Sequence, residues 1–231
     1  MNRTLDALEG AIGGRRVRLD ESLDTHTILK EKGHAEFYIE TDTTDDLIKI
    51  VREARRLGFP VFILGGGSYA RIPDNGIKGL VVKNNCRRFD KMNIRGAIRN
   101  SQVGVQEVIV SAESGVILNQ LVRFTIEEGL EGLEYQLGLP GTLGGAICTN
   151  AKYKNKHVRD FLYSIRILGG NGEVQVYTKD LPYFLSPEAE LQETEDVILS
   201  AVFKLAPEDK KILWRRGEEA LGYRNNFELR I

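Results

Sequence analysis

The sequence predicts an α+β protein: a βαβ segment followed by a mainly β lobe. Three observations carry this. A β-rich run, a capped amphipathic run and a second β-rich run succeed one another over residues 35–64. Short apolar runs separated by glycine turns, with one helical pattern among them, fill residues 103–205. The chain has 231 residues, 42% apolar and 8% aromatic, which suits a sizeable core but is short for two ordinary domains, so one domain of two lobes is expected.

The elements follow in order. Residues 1–30 are polar and weakly patterned, and an arm or short helix is expected over 1–24. "AEFYIE" (35–40) reads as a strand. In "TTDDLIKIVREARRLG", Thr43 or Thr44 can cap a helix, and Asp45 and Asp46 suit its positive end. Leu47, Val51, Ala54 and Leu57 repeat at helical spacing, and Gly58 can end the helix. "FPVFIL" (59–64) is the next strand, so a parallel pair with a right-handed crossover is expected. "GLVVK" (79–83) is another strand, and "VGVQEVIVSAESGV" (103–116) holds at least one more. "ILNQLVRFTIEEG" puts Leu118, Leu121, Val122 and Thr125 on one helical face, with Gly129 at its end. "FLYSIRIL", "GGNG" and "EVQVYT" form a hairpin signal. "DVILSAVFKL" (196–205) is a further strand, and "EDKKILWRRGEEALGYRNNF" reads as a charged helix interrupted by glycines. The expected organisation is an arm (1–24), lobe 1 (25–95), lobe 2 (96–206) and a C-terminal helical segment (207–231).

Composition excludes several partners. A formal net charge of -1 gives no electrostatic basis for binding nucleic acid or an anionic membrane. Cys86 and Cys148 have no metal-like spacing, and a reducing cytoplasm fits them. No metal site is expected. The N-terminus alternates charged and apolar residues, unlike a signal peptide, and no apolar run approaches the roughly 20 residues of a membrane span.

Two glycine stretches stand out in a chain that is 28% charged. Gly65, Gly66, Gly67 and Ser68 follow a strand directly. Glycines there let successive amide N–H groups converge on an anion, with the Ser68 hydroxyl as a further donor. A tight turn after an edge strand explains the same residues. The stretch fits neither a Rossmann turn, which needs a helix after the loop, nor an ATPase phosphate loop, which needs Gly-Lys-Ser/Thr. "GLPGTLGGAICTN" (138–150) carries no charge. Gly138, Pro140, Gly141, Gly144 and Gly145 argue against a regular helix and weaken a strand. A buried irregular loop must satisfy its backbone polar groups. A flat heteroaromatic ligand with a pyrophosphate tail would take several of those bonds, with Thr142 and Asn150 adding side-chain donors. An inter-lobe connector packed by its own glycines is the alternative.

These stretches resemble the UDP-N-acetylenolpyruvoylglucosamine reductase family, also called UDP-N-acetylmuramate dehydrogenase. That family's Gly-x-Gly-Ser-Asn loop is matched by Gly65-Gly66-Gly67-Ser68-Tyr69. Its Gly-Leu-Glu and Gly-Ile-Pro-Gly-Thr-x-Gly-Gly-Ala motifs are matched by Gly132-Leu133-Glu134 and by Gly138-Leu139-Pro140-Gly141-Thr142-Leu143-Gly144-Gly145-Ala146, with Asn150-Ala151 after them. The resemblance spans roughly residues 25–206. It implies the two-lobed FAD-binding domain of the vanillyl-alcohol-oxidase (PCMH) type, without the family's C-terminal substrate-binding domain. It also implies non-covalent FAD held by residues 65–70, including Tyr69 and Ala70, and by 138–146 with Asn150. NADPH would be the hydride donor and a UDP-sugar in peptidoglycan precursor synthesis the substrate.

The family's Tyr-Arg-x-Ser motif falls at "YFLS": Tyr183 and Ser186 match, and Phe184 replaces the arginine that meets the substrate carboxylate. Asn-Ala-Gly-x-Tyr-Gly becomes Asn150-Ala151-Lys152-Tyr153-Lys154-Asn155. The family's serine proton donor in Ala-Gly-Ser-x-Phe has no counterpart, so the catalytic acid is unassigned. Tyr183, Ser186 and Arg224 are the candidate substrate contacts. The alternative function is a non-catalytic FAD-binding module, or one that depends on a partner chain for the missing domain.

Overall fold

The computed structural model describes residues 3–14, 16–28, 30, 32–68, 70, 72–99, 102–178 and 194–228. It divides into two compact units, residues 1–87 and 88–231.

The first unit opens with α1 (Arg3–Ile12), which buries Leu8 and Ile12. β1 (Arg18–Ser22) follows and pairs antiparallel with β2 (His34–Thr41). The sequence hides β1 because "RLDES" is charged and lacks apolar alternation, as suits an edge strand. α2 (Thr44–Arg56) buries Leu47, Ile48, Ile50, Val51 and Ala54, each large side chain contributing about 1.5–3 kcal/mol. Thr43 is its N-cap: its hydroxyl accepts from Asp46 N at 3.3 Å. Arg16 grips the same Asp46 through both carboxylate oxygens, at 2.8 and 3.0 Å. Gly58, at φ +79°, turns the chain out of the helix and donates to Arg55 O at 2.9 Å. Thr43→Ala is expected to cost about 1 kcal/mol, read as a lower urea midpoint with an unchanged slope.

β3 (Val61–Leu64) and β4 (Ile77–Asn84) complete a sheet of order β1-β2-β4-β3, with β4 parallel to both neighbours. The expected parallel pair of β2 and β3 is therefore corrected: β4 lies between them. The reason is a contact between Pro60 and the Gly79–Leu80 segment. Pro60 cannot donate, and its carbonyl accepts from Leu80 N at 2.8 Å. Gly79, at φ +89°, passes so close that a Cβ would fall 2.3 Å from Pro60 O. A glycine at that point admits β4.

The second unit is a sheet of antiparallel neighbours. β5 (Phe89–Arg99) and β6 (Gln102–Glu113) form a hairpin, α3 (Leu118–Glu127) and β7 (Leu130–Glu131) follow, and α4 (Leu143–Cys148) leads to the small β8 (Lys152–Tyr153) and β9 (Lys156–His157) ribbon. β10 (Leu162–Leu168), β11 (Val174–Thr178) and β12 (Val197–Pro207) close the order β11-β10-β12-β6-β5, with β7 also on β12. The predicted hairpin is the β10–β11 pair, turned where Gly172 N donates to Gly169 O at 2.9 Å. Val110, Ala112, Leu121, Val122, Ile165 and Phe203 belong to the core of this unit.

The C-terminal helix, α5 (Lys210–Glu228), runs without interruption. The glycines that suggested a broken helix face inward or sit in open space. Leu213, Gly217, Ala220 and Arg224 are buried along one helical stripe. At Gly217 a Cβ would meet Leu137 Cδ2 at 3.0 Å and Glu134 O at 3.3 Å. At Gly222 a Cβ would meet no described residue within 4 Å beyond its own helix. Among the described residues no helix is long and apolar enough to cross a membrane, and no cluster of metal-ligating side chains occurs.

Candidate functional site

In the first unit, the glycine stretch leaves β3 immediately after the buried Leu64. Gly67 has φ +64°, and a Cβ there would fall 2.6 Å from Thr27 Cα, so the turn lies on the backbone of the 26–27 segment. Lys83, near the end of β4, donates from Nζ to Gly65 O at 2.7 Å and to His26 O at 2.9 Å. Among the described residues, the N–H groups of Gly66 and Gly67 have no partner. Ser68 is half-buried, and Ala70 packs against the cluster that includes Tyr38 and Leu64. Tyr69 lies outside the described residues.

In the second unit, the expectation that residues 138–150 exclude a helix is corrected, because α4 contains both Gly144 and Gly145. Tertiary bonds override propensity here. Leu143 N donates to Val116 O at 2.9 Å and Gly144 N to Ser114 O at 2.8 Å, which seats the helix start on the end of β6. A Cβ on Gly144 would lie 3.0 Å from Ser114 Cβ and 3.1 Å from its carbonyl. The preceding turn is fixed similarly: Gly138 N donates to Asn119 Oδ1 at 3.0 Å, and Leu139 N to Gln136 O at 3.1 Å. Much of this backbone is therefore satisfied by the protein itself. The amides of Gly141, Thr142 and Gly145 are the exceptions: among the described residues they have no partner. Thr142 precedes the helix in extended geometry, and its hydroxyl makes no capping bond. Asn150, at φ +46°, ends the segment with its Oδ1 buried and, among the described residues, without a partner.

Two charged residues shape the approach to that turn. Glu134 is fully buried, accepts from Gly132 N at 2.5 Å and meets Arg216 Nη1 at 3.3 Å. Burial pushes its carboxyl above the usual carboxylate range, against the pull of the Gly132 amide and Arg216. Its place in the Gly-Leu-Glu motif is thus to close its own turn. Arg224, 6% exposed, donates at 2.6 Å to both Leu137 O and Tyr135 O, with its Cζ 5.8 Å from the Tyr153 ring centre. Arg224, a candidate substrate contact in the sequence, holds in the structure the main chain that leads into Gly138. Tyr183, Ser186 and Phe184 lie outside the described residues.

Sequence reasoning missed Lys83, Thr27 and Asn119. A lysine closing an apolar strand reads as solvated, and the Gly138–Asn119 pairing spans 19 positions with no local signal.

Residues 35–178 match the family described as "FAD binding domain". The chain is 28% identical over 222 residues to the UDP-N-acetylenolpyruvoylglucosamine reductase of Clostridium tetani, covering 95% of this chain and 68% of the relative. Against the enzyme of the same name from Geobacillus kaustophilus it is 30% identical over 197 residues, 85% of this chain and 60% of the relative. The chain thus spans about two thirds or less of the length of these curated relatives. A crystal structure of UDP-N-acetylenolpyruvylglucosamine reductase from Thermus caldophilus shares the fold, with a TM-score of 0.66 at 23% identity over 90% of this chain and 68% of that one.

Proposed function

Because this chain belongs to the FAD binding domain family, we propose that it holds FAD non-covalently through its glycine-turn main chain and serves NADPH-dependent reduction of an enolpyruvyl UDP-sugar. The substrate half of this reading follows the name of its curated relatives. One observation carries the cofactor half: uncharged glycine turns present amides without partners, Gly66 and Gly67 in the first unit and Gly141, Thr142 and Gly145 in the second. Such donors suit the phosphate oxygens and ring carbonyls of a flavin dinucleotide. The buried Oδ1 of Asn150, without a partner among the described residues, suits a donor on the same ligand. Bound FAD would supply the hydride relay between NADPH and the enolpyruvyl double bond.

The chain's own residues then have definite tasks. Gly65 to Ala70 and Gly138 to Ala146, with Asn150, bind and orient the cofactor; Gly67 and Gly144 keep the main chain where a Cβ would displace it. Arg224 acts at one remove, by fixing the carbonyls of Tyr135 and Leu137 ahead of the second turn. Tyr183 and Ser186 are the proposed substrate contacts.

Steady-state NADPH oxidation with and without the enolpyruvyl UDP-sugar tests the reaction, and substrate-dependent turnover is the expected result. A protein that binds FAD and shows no substrate-dependent turnover would refute the catalytic half. Gly66→Val tests the cofactor half. It is expected to weaken FAD binding by about tenfold or more while the apo-protein melts within a few degrees of wild type. Full flavin occupancy in that variant would contradict the reading.

A further inference from the structure

Phosphate-binding turns in nucleotide folds draw positive potential from the helix that follows them. The first glycine turn here leads through "RIPDNGIKG" into β4, so no such helix follows it. A positive charge nevertheless lies directly behind it. Lys83 Nζ sits 2.7 Å from Gly65 O. A trans peptide holds its C=O and its N–H on opposite sides, and the described chain has no cis bond. With Gly65 O drawn to the ammonium, the N–H of that same peptide, which belongs to Gly66, is directed away from it. Among the described residues this N–H has no partner. The ammonium also polarises the peptide that it binds, which makes the outward N–H a stronger donor.

We propose that Lys83 is the positioning residue of the FAD diphosphate site: it orients and polarises the Gly65–Gly66 peptide and supplies the positive charge that a helix terminus supplies elsewhere. This inference rests on the FAD reading above. Its second bond, 2.9 Å to His26 O, ties the turn to the segment that carries Thr27, the residue on which Gly67 lies. Burial lowers the Lys83 ammonium below the ordinary lysine range, Glu40 opposes this and Arg87 adds to it. The neighbouring His26 ring is engaged by Glu21 Oε1 at 2.8 Å and by Tyr38 OH at 3.0 Å. Lys83 therefore gives up its charge at a lower pH than a solvated lysine.

The test is a titration of the deflavinated full chain with FAD, read by flavin fluorescence, for wild type, Lys83→Met and Lys83→Arg. Lys83→Met is expected to raise Kd about tenfold, the scale of one unit charge acting across about 8 Å at an effective dielectric of about 30. Lys83→Arg restores the charge and is expected to bring Kd back to within about threefold of wild type. The wild-type Kd rises with alkaline pH as Lys83 loses its proton, and that of Lys83→Arg stays flat. An unchanged Kd in Lys83→Met, or a wild-type Kd indifferent to pH, overturns the inference. If Lys83→Met does not fold, the pH profiles of wild type and Lys83→Arg decide it. Wild-type protein that binds no FAD refutes the cofactor reading as well; wild-type binding with no loss in Lys83→Met refutes the Lys83 role alone.

Discussion

Gly67→Ala is expected to destabilise the first unit by roughly 3 kcal/mol and to abolish tight retention of FAD. Two costs add. The residue sits at φ +64°, where an L side chain costs about 1–2 kcal/mol. The new methyl would also fall 2.6 Å from Thr27 Cα and 2.8 Å from its Cβ. The first of these is backbone, so no rotamer change relieves it. Thr27 cannot retreat freely: it is buried, its hydroxyl donates to Leu23 O at 3.2 Å, and its carbonyl accepts from Lys30 N at 3.3 Å. The turn must lift, and its amides lift with it. Gly58→Ala is the control, since Gly58 has φ +79° but, among the described residues, nothing within 4 Å of a Cβ. It isolates the dihedral cost, about 1 kcal/mol. Urea denaturation of both apo variants and FAD titration of both separate the contributions. Equal losses in the two would show that the Thr27 approach is looser than described.

Arg224→Met is expected to cost about 2–4 kcal/mol in the second unit. The substitution keeps an apolar stem but leaves the carbonyls of Tyr135 and Leu137 without their 2.6 Å donors in a buried place. It also removes the cation above Tyr153. Lysine cannot reproduce the fork, so Arg224→Lys recovers part of the loss at most. Trp214 is the chain's single tryptophan, lies on the same helix and packs against the second unit's core. Its fluorescence therefore reports unfolding of that unit. The expected result is a lower urea midpoint for Trp214 and weaker FAD binding. A midpoint unchanged from wild type would mean that Tyr135 and Leu137 find other donors at little cost.

Local signals made much of the fold legible. Thr43, the apolar repeat of α2 and Gly58 define one helix from both ends, and the structure places it within a residue of the reading. Those signals reside in neighbouring positions. What escaped the sequence depends on distant ones. β1 is a charged edge strand whose pairing comes from β2. The insertion of β4 between β2 and β3 depends on Gly79 meeting Pro60, 19 positions apart. The helix α4 forms in a glycine-rich stretch because Val116 and Ser114 supply acceptors for its first amides. The glycine stretches themselves stood out, because they are uncharged in a chain that is 28% charged. Their supports were not: Lys83 is 18 positions from Gly65, and Arg224 is 87 from Leu137. Such residues carry no motif because their partners are main-chain carbonyls, which every residue has.

Main-chain donors of the glycine stretches are expected to contact FAD, and amide hydrogen exchange measures those donors one by one. With FAD saturating, the N–H groups of Gly66 and Gly67 in the first unit, and of Gly141, Thr142 and Gly145 in the second, are expected to exchange at least about tenfold more slowly than in the apo-protein. If FAD binds and these five amides exchange at their apo rates while others slow, the cofactor is held elsewhere and the account is wrong.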